Sequence, residues 1–142
     1  MSVRSKRGFT LIELMVVIAI IGLLSTIVLA MLSNARNKGV DTKVKATLSN
    51  ARSRAELYAT NNNNTYGGIV NNNCNLGMFN DTTSGVDQTL EGLSGGATTA
   101  TCFSTNNAYA ISAPLPGVGG HWCVDSVGTP KARGSAIITT AC

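Results

Sequence analysis

The hydrophobic pattern divides the chain in two. From Phe9 to Leu32 almost every residue is apolar, without periodicity, and the run of 24 positions holds one charge, Glu13. As a helix rising 1.5 Å per residue it reaches ~36 Å, enough to cross a hydrocarbon layer of ~30 Å. After Leu32 the pattern becomes periodic. Val40, Val44, Leu48, Ala51, Ala55 and Tyr58 recur at intervals of three and four, which marks one face of an amphipathic helix. The spacing predicts a single long helix from about Phe9 to Thr60, apolar all round at first and one-sided later. The asparagines at 61–64 end it, because Asn favours turns and helix C-termini.

Beyond residue 60 the signals shorten. Residues 65–105 read as turn-rich, with a short helix in "VDQTLEGL". "AYAISAPL" alternates, with Tyr109, Ile111, Ala113 and Leu115 on one side, and Pro114 ends that strand or sets it at an edge. "PGVGG" reads as a turn, "HWCVDS" as a strand, "VGTPKARGS" as a connection and "AIITTAC" as a last strand. Three strands at such spacing predict an antiparallel meander, against which the amphipathic half of the helix buries its apolar face.

Composition sharpens this picture. Charged residues make up 13% of the chain, about half the share in an ordinary globular domain. The net charge of +4 is concentrated near the helix. Beyond residue 60 two bases (Lys131, Arg133) face four acids (Asp81, Asp87, Glu91, Asp125). The basic pI therefore describes helix flanks and gives no nucleic-acid footprint. The four cysteines, Cys74, Cys102, Cys123 and Cys142, form no C-x-x-C pair, and His121 is the single histidine. An even count behind a membrane segment reads as two disulfides in an oxidising compartment. Three pairings are open; the sequence-local one, Cys74–Cys102 with Cys123–Cys142, is preferred here. No catalytic set, phosphate loop, metal-ligand cluster or cofactor motif is evident, so an enzyme is not expected.

Glu13 is the anomaly. A secretory signal has a shorter apolar region and a small-residue cleavage site. An ordinary anchor leaves Glu13 as a cost of roughly 2.5–3.5 kcal/mol at a helix centre. The string "RGFTLIEL", a basic leader followed by Gly8, Phe9 and a glutamate five places after the glycine, resembles the processing site of type IV prepilins and pseudopilins.

That resemblance implies an α+β, pilin-like fold. It divides the chain into a leader (1–8), a membrane-spanning or filament-core helix (9–32), an amphipathic helix half (33–60) and a disulfide-containing head (61–142). It implies a prepilin peptidase that cuts between Gly8 and Phe9 and methylates the new amine of Phe9. It gives Glu13 a partner, the amine of Phe9 on a neighbouring subunit, and hence a role in assembly. The implied partners are other copies of the chain in a helical filament, the peptidase, an inner-membrane assembly machinery, and membrane lipid before assembly. The location is the inner membrane first, in single-pass form, and the extracellular pilus afterwards. The bases after the span (Arg36, Lys38, Lys43, Lys45) outnumber the three before it (Arg4, Lys6, Arg7). A positive-inside count alone therefore gives the opposite orientation; the cysteines and the peptidase's cytoplasmic side favour an external head. Two alternatives stand beside the pilus subunit. One is a pseudopilin of a type II secretion or DNA-uptake system, although the acid-rich calcium loop of the major secretion pseudopilins has no counterpart here beyond Asp125 and Ser126. The other is a membrane-anchored secreted domain that binds a ligand or acts enzymatically. The chain also departs from many pilins in having no proline before Pro114; Gly22 is the weak point left in the apolar span.

Overall fold

In the computed structural model, which describes residues 8–93 and 95–142, one helix dominates. Helix α1 runs unbroken from Leu11 to Asn61, 51 residues, through both Gly22 and Gly39. The chain divides into two compact units at Arg36/Asn37, so α1 contributes to both.

In the first unit the described residues, 8–36, are exposed throughout. Between Leu11 and Leu32 the two hydroxyls are satisfied by the helix itself: Ser25 donates to the carbonyl of Ile21 at 2.7 Å and Thr26 to that of Leu23 at 2.8 Å. A helix that satisfies its own polar groups is a form of backbone that lipid tolerates.

The second unit pairs the rest of α1 with a five-stranded sheet. The strands are β1 (Val70–Asn71), β2 (Thr101–Ser104), β3 (Tyr109–Pro114), β4 (His121–Asp125) and β5 (Lys131–Arg133). Their spatial order is their sequence order, and every pair is antiparallel. This is the expected meander on a long helix, with five strands where three were expected. A short helix, α2 (Val86–Glu91), lies in the long connection before β2.

The helix stripe expected from spacing forms the core. Val44, Leu48, Ala51 and Ala55 are buried with Val86, Leu90, Cys102, Tyr109, Ile111, Ala113 and Val124, while Val40 and Tyr58 pack at the margin. Register explains which strand residues face α1. Cys102 pairs with Ile111 and Ile111 with Val124, and all three lie in this core. The helix ends where its last carbonyls are taken up by the asparagines. Asn64 N–H donates to Ala59 at 2.8 Å, the Asn62 side chain donates to Tyr58 at 2.9 Å, and Asn63 and Asn64 turn left-handed.

Three sequence expectations are corrected. First, "AIITTAC" is not a strand. The edge of β4 is already taken by Lys131–Arg133, which lies within the segment read as a connection. Second, β1 and β2 lie within residues read as turn-rich. Third, β3 does not present one buried side: Ala110 and Ser112 are as buried as Tyr109 and Ile111. Residues 134–142 cross the outer face of the sheet instead of extending it, and Ile137 joins Ala110 and Cys123 in a second, smaller cluster with Phe103 and Cys142 at its margin. Pro114 closes β3, an interior strand, at its end.

Candidate functional site

The candidate site is the entry to α1. Gly8, Phe9 and Thr10 precede the helix and are exposed, Phe9 at 79%. Thr10 and Glu13 form a reciprocal cap. The Glu13 carboxylate accepts from the Thr10 N–H at 2.9 Å and from its hydroxyl at 2.7 Å, and the Glu13 N–H donates back to the Thr10 hydroxyl at 3.3 Å. This is the T-x-x-E capping box, in which an otherwise orphan amide at the helix start finds an acceptor. Its signal in the sequence is "TLIE", which the reading of Glu13 as a lone acid overlooks. Glu13 therefore has a partner within its own chain, and it lines an open surface hollow together with the exposed side chains of Phe9, Ile12, Val16 and Val17. The peptide bond between Gly8 and Phe9 lies in non-helical, exposed backbone, so a protease meets no helix there. The remainder of the expected leader, residues 1–7, lies outside the described residues.

The other expected residues are distributed through the head. Cys74 is bonded to Cys102 and Cys123 to Cys142. The first bond ties the connection after β1 to β2; the second ties the last residue of the sequence to β4. His121 begins β4, with its Nδ1 buried and unpartnered among the described residues. Asp125 is committed to backbone. Its Oδ1 accepts from the amides of Val127 (3.1 Å) and Gly128, and its Oδ2 from that of Cys142 (2.8 Å). Burial works to raise its pKa, but these amides, with Lys131 adding, hold it below the usual carboxylate value. Asp81 is lowered in the same sense: burial opposes, and the hydroxyl and amide of Ser84 prevail. No group of three His, Cys, Asp or Glu side chains able to hold a metal occurs among the described residues.

Two polar constellations were not anticipated. Asp41 sits on the apolar stripe of α1, 4% exposed, and accepts from the amides of Gly117 and Val118, each at 2.9 Å. It fastens the β3–β4 turn to the helix. Gly117 is required there, since a Cβ would strike the Asp41 carboxylate and the Asn37 carbonyl. Asp41 precedes Val44 and Leu48 at helical spacing, which was the available signal. The second constellation joins Glu56 to two tyrosines. The Tyr66 hydroxyl donates to Glu56 at 2.9 Å, Tyr109 reaches Glu56 and the Arg52 carbonyl at 3.4 Å, and the two rings meet edge-on at 4.8 Å. Burial first, then the Glu56 hydrogen bond, pushes the Tyr66 hydroxyl up to about 12, and Tyr109 is raised as well.

Comparison with known proteins bears on the N-terminal segment. Residues 3–29 match the family described as the prokaryotic N-terminal methylation motif. The chain is 45% identical over 60 residues to the type IV wide pilus major component PilA4 of Thermus thermophilus, a match that covers 42% of this chain and 46% of that protein. The chain thus spans about half the length of the curated relative it matches. No solved structure matches. The N-terminal segment is thus similar to that of a type IV pilus component, and the long helix laid on an antiparallel meander is the α+β architecture that the resemblance to type IV pilins and pseudopilins implies.

Proposed function

We propose that the chain is a structural subunit, not an enzyme, of an extracellular type IV pilus-like filament. One observation carries the reading. The apolar half of α1 is exposed on every side, with Glu13 as its one charge, and most of it lies within the segment that matches the methylation motif. Such a surface needs an apolar surrounding. Lipid supplies it before assembly, and the same helices of other copies supply it afterwards. The similarity to a protein named as a major pilus component agrees with this.

In this reading a prepilin peptidase removes Met1–Gly8 and methylates the amine of Phe9, and the protein waits in the inner membrane with its head outside. Cleavage creates a cation, since a free α-amine ordinarily titrates at about 7.7–8.0. In a low dielectric it attracts a carboxylate strongly, and neither is tolerated alone. Within one chain, Thr10 occupies the Glu13 carboxylate through one oxygen, Oε2. The other oxygen is left to accept the Phe9 amine of the next copy, so the helix cap and the assembly contact are compatible. Assembly machinery in the membrane would extract each subunit into the growing bundle. A pseudopilin of a secretion or DNA-uptake system would share the processing and the helix but would not build long surface filaments.

The test is mass spectrometry of the purified protein together with electron microscopy of the cell surface. An N-methylated Phe9 at the mature terminus, in filaments whose main subunit is this chain, is expected. An intact Met1 in the membrane-bound protein would overturn the reading.

A further inference from the structure

Residues 134–142 are attached to the sheet in an unusual way. Among the described residues no backbone–backbone hydrogen bond reaches them. Ile137, 2% exposed, covers Ala110 and Cys123 on the outer face, and its amide donates to the Ser112 hydroxyl at 3.3 Å. The remaining attachments converge on one residue. Cys142 is held by its sulfur to Cys123, by its N–H to Asp125, and by its carbonyl to the Arg133 guanidinium.

The sheet sets up this convergence. Cys123 and Asp125 are two apart on β4, so they share a face. Their β3 partners, Ser112 and Ala110, present to the same face the hydroxyl and the methyl that meet Ile137. Arg133 comes from the neighbouring strand, paired with His121. Asp125 is itself fixed by the amides of Val127 and Gly128, so its second oxygen is aimed before Cys142 arrives. The charged groups around it are Lys131 on β5 and Arg133, which grips the Cys142 carbonyl.

We propose that residues 134–142 are a strap that closes by oxidation, and that Asp125 is the positioning residue that brings Cys142 onto Cys123. A charge-assisted hydrogen bond to the Cys142 amide restricts the reduced strap to poses in which the two sulfurs meet. That raises the effective concentration of one thiol at the other and selects this pairing over either thiol of the first loop. The chemistry is thiol–disulfide exchange. With glutathione disulfide as oxidant, the thiolate of Cys142, the more exposed of the pair, attacks one glutathione sulfur and releases glutathione thiolate. The Cys123 thiolate then displaces the second glutathione from Cys142. Two glutathione thiols are formed per disulfide, and the two protons lost by the cysteines are taken up, through solvent, by the two glutathione thiolates. This inference concerns the head and does not depend on filament formation.

The test is an equilibrium titration of the full-length chain in detergent against glutathione buffers of graded ratio. Free thiols are trapped by alkylation, and the two pairs are quantified separately by peptide mass spectrometry. Asp125→Asn should shift the Cys123–Cys142 equilibrium toward the dithiol by about tenfold, the scale of one hydrogen bond to a charged group, and leave Cys74–Cys102 unmoved. An unchanged Cys123–Cys142 equilibrium, or an equal shift in both pairs with Arg133→Ala behaving likewise, overturns the proposal. Should Asp125→Asn disturb both pairs through misfolding, Arg133→Ala decides. It removes the grip on the Cys142 carbonyl from a different strand, and a shift confined to Cys123–Cys142 supports a positioned strap.

Discussion

The two halves of α1 share one backbone and treat their apolar side chains in opposite ways. Between Leu11 and Leu32 leucines, isoleucines and valines point in every direction and are exposed; even Val17, the best covered of them, is 46% exposed. Between Val44 and Ala59 one stripe, Val44, Leu48, Ala51, Ala55 and Ala59, is at most 3% exposed, while Leu57, off the stripe, is 42% exposed. The second half completes a core within its own chain. Among the described residues, those of the first half are buried nowhere in their own chain. Helix propensity does not separate them; the period of the pattern does. In the proposed reading the aperiodic segment is the part that meets other molecules, so substitutions in the two halves should be read out by different experiments.

The largest expected effect falls on the single charge of the exposed half. Glu13→Leu should leave the chain membrane-inserted and the head folded, and should abolish filaments seen by electron microscopy. It removes both the Thr10 cap and the acceptor for a neighbour's amine. Glu13→Gln separates these roles. Its amide oxygen can still accept from Thr10, whereas it carries no charge for the amine. Filament loss in Glu13→Gln as well would assign the effect to charge, and normal filaments in both variants would remove Glu13 from assembly.

Next come paired leucine truncations. Leu48 is fully buried and Leu24 is 54% exposed. Leu48→Ala should destabilise the head by about 2–5 kcal/mol through lost burial and the cavity left behind. Trp122, the sole tryptophan and stacked under Lys45 at 4.9 Å, reports the unfolding by fluorescence in detergent. Leu24→Ala should leave that transition within about 0.5 kcal/mol and act on filament yield alone. Equal effects on head stability would erase the distinction between the halves.

How much of this was legible depends on pattern length. The long helix, its change from aperiodic to periodic, and the stripe of Val44, Leu48, Ala51 and Ala55 follow from signals repeated over many turns. Glu13 was legible as an anomaly and the processing motif as its context, while its bond to Thr10 needed only "TLIE" to be read as a helix start. The short strands were harder. Val70–Asn71 and Thr101–Ser104 have too few residues to alternate, and Asn- and Thr-rich neighbours hide them. "AIITTAC" has strand composition but no strand partner, because pairing is decided by which edge is vacant, a property of the sheet and not of the segment. Asp41 defeats a burial rule outright. A carboxylate on an apolar stripe is normally a reason to doubt the stripe, yet here two amides of a distant turn receive it.

That carboxylate gives a third, smaller prediction within the head. Asp41→Ala leaves the amides of Gly117 and Val118 without their acceptor and should cost about 1–3 kcal/mol. Hydrogen exchange should show the loss first at those two amides. Exchange at Gly117 and Val118 no faster than in the parent would mean that the β3–β4 turn does not depend on α1.

The smallest effect is the pH dependence, and it too should be confined to one region. Asp81 and Asp125 have folded-state pKa values below those of the unfolded chain. A carboxylate lowered by folding adds stability that is fully present above its unfolded value of about 3.9 and is lost as pH falls through the folded one. The head should therefore be insensitive to these groups at neutral pH and weaken only below about pH 4. Asp125→Asn should flatten that acid limb, because it removes a group whose protonation differs between the two states. The readout is the Trp122 unfolding midpoint across a range of about pH 2.5–7. Residues 11–32 show no such loss by circular dichroism if their helix is held by its surroundings and not by the head. A head whose midpoint rises on acidification, or an acid limb unchanged in Asp125→Asn, would show that the amides of Val127, Gly128 and Cys142 do not favour the ionised carboxylate.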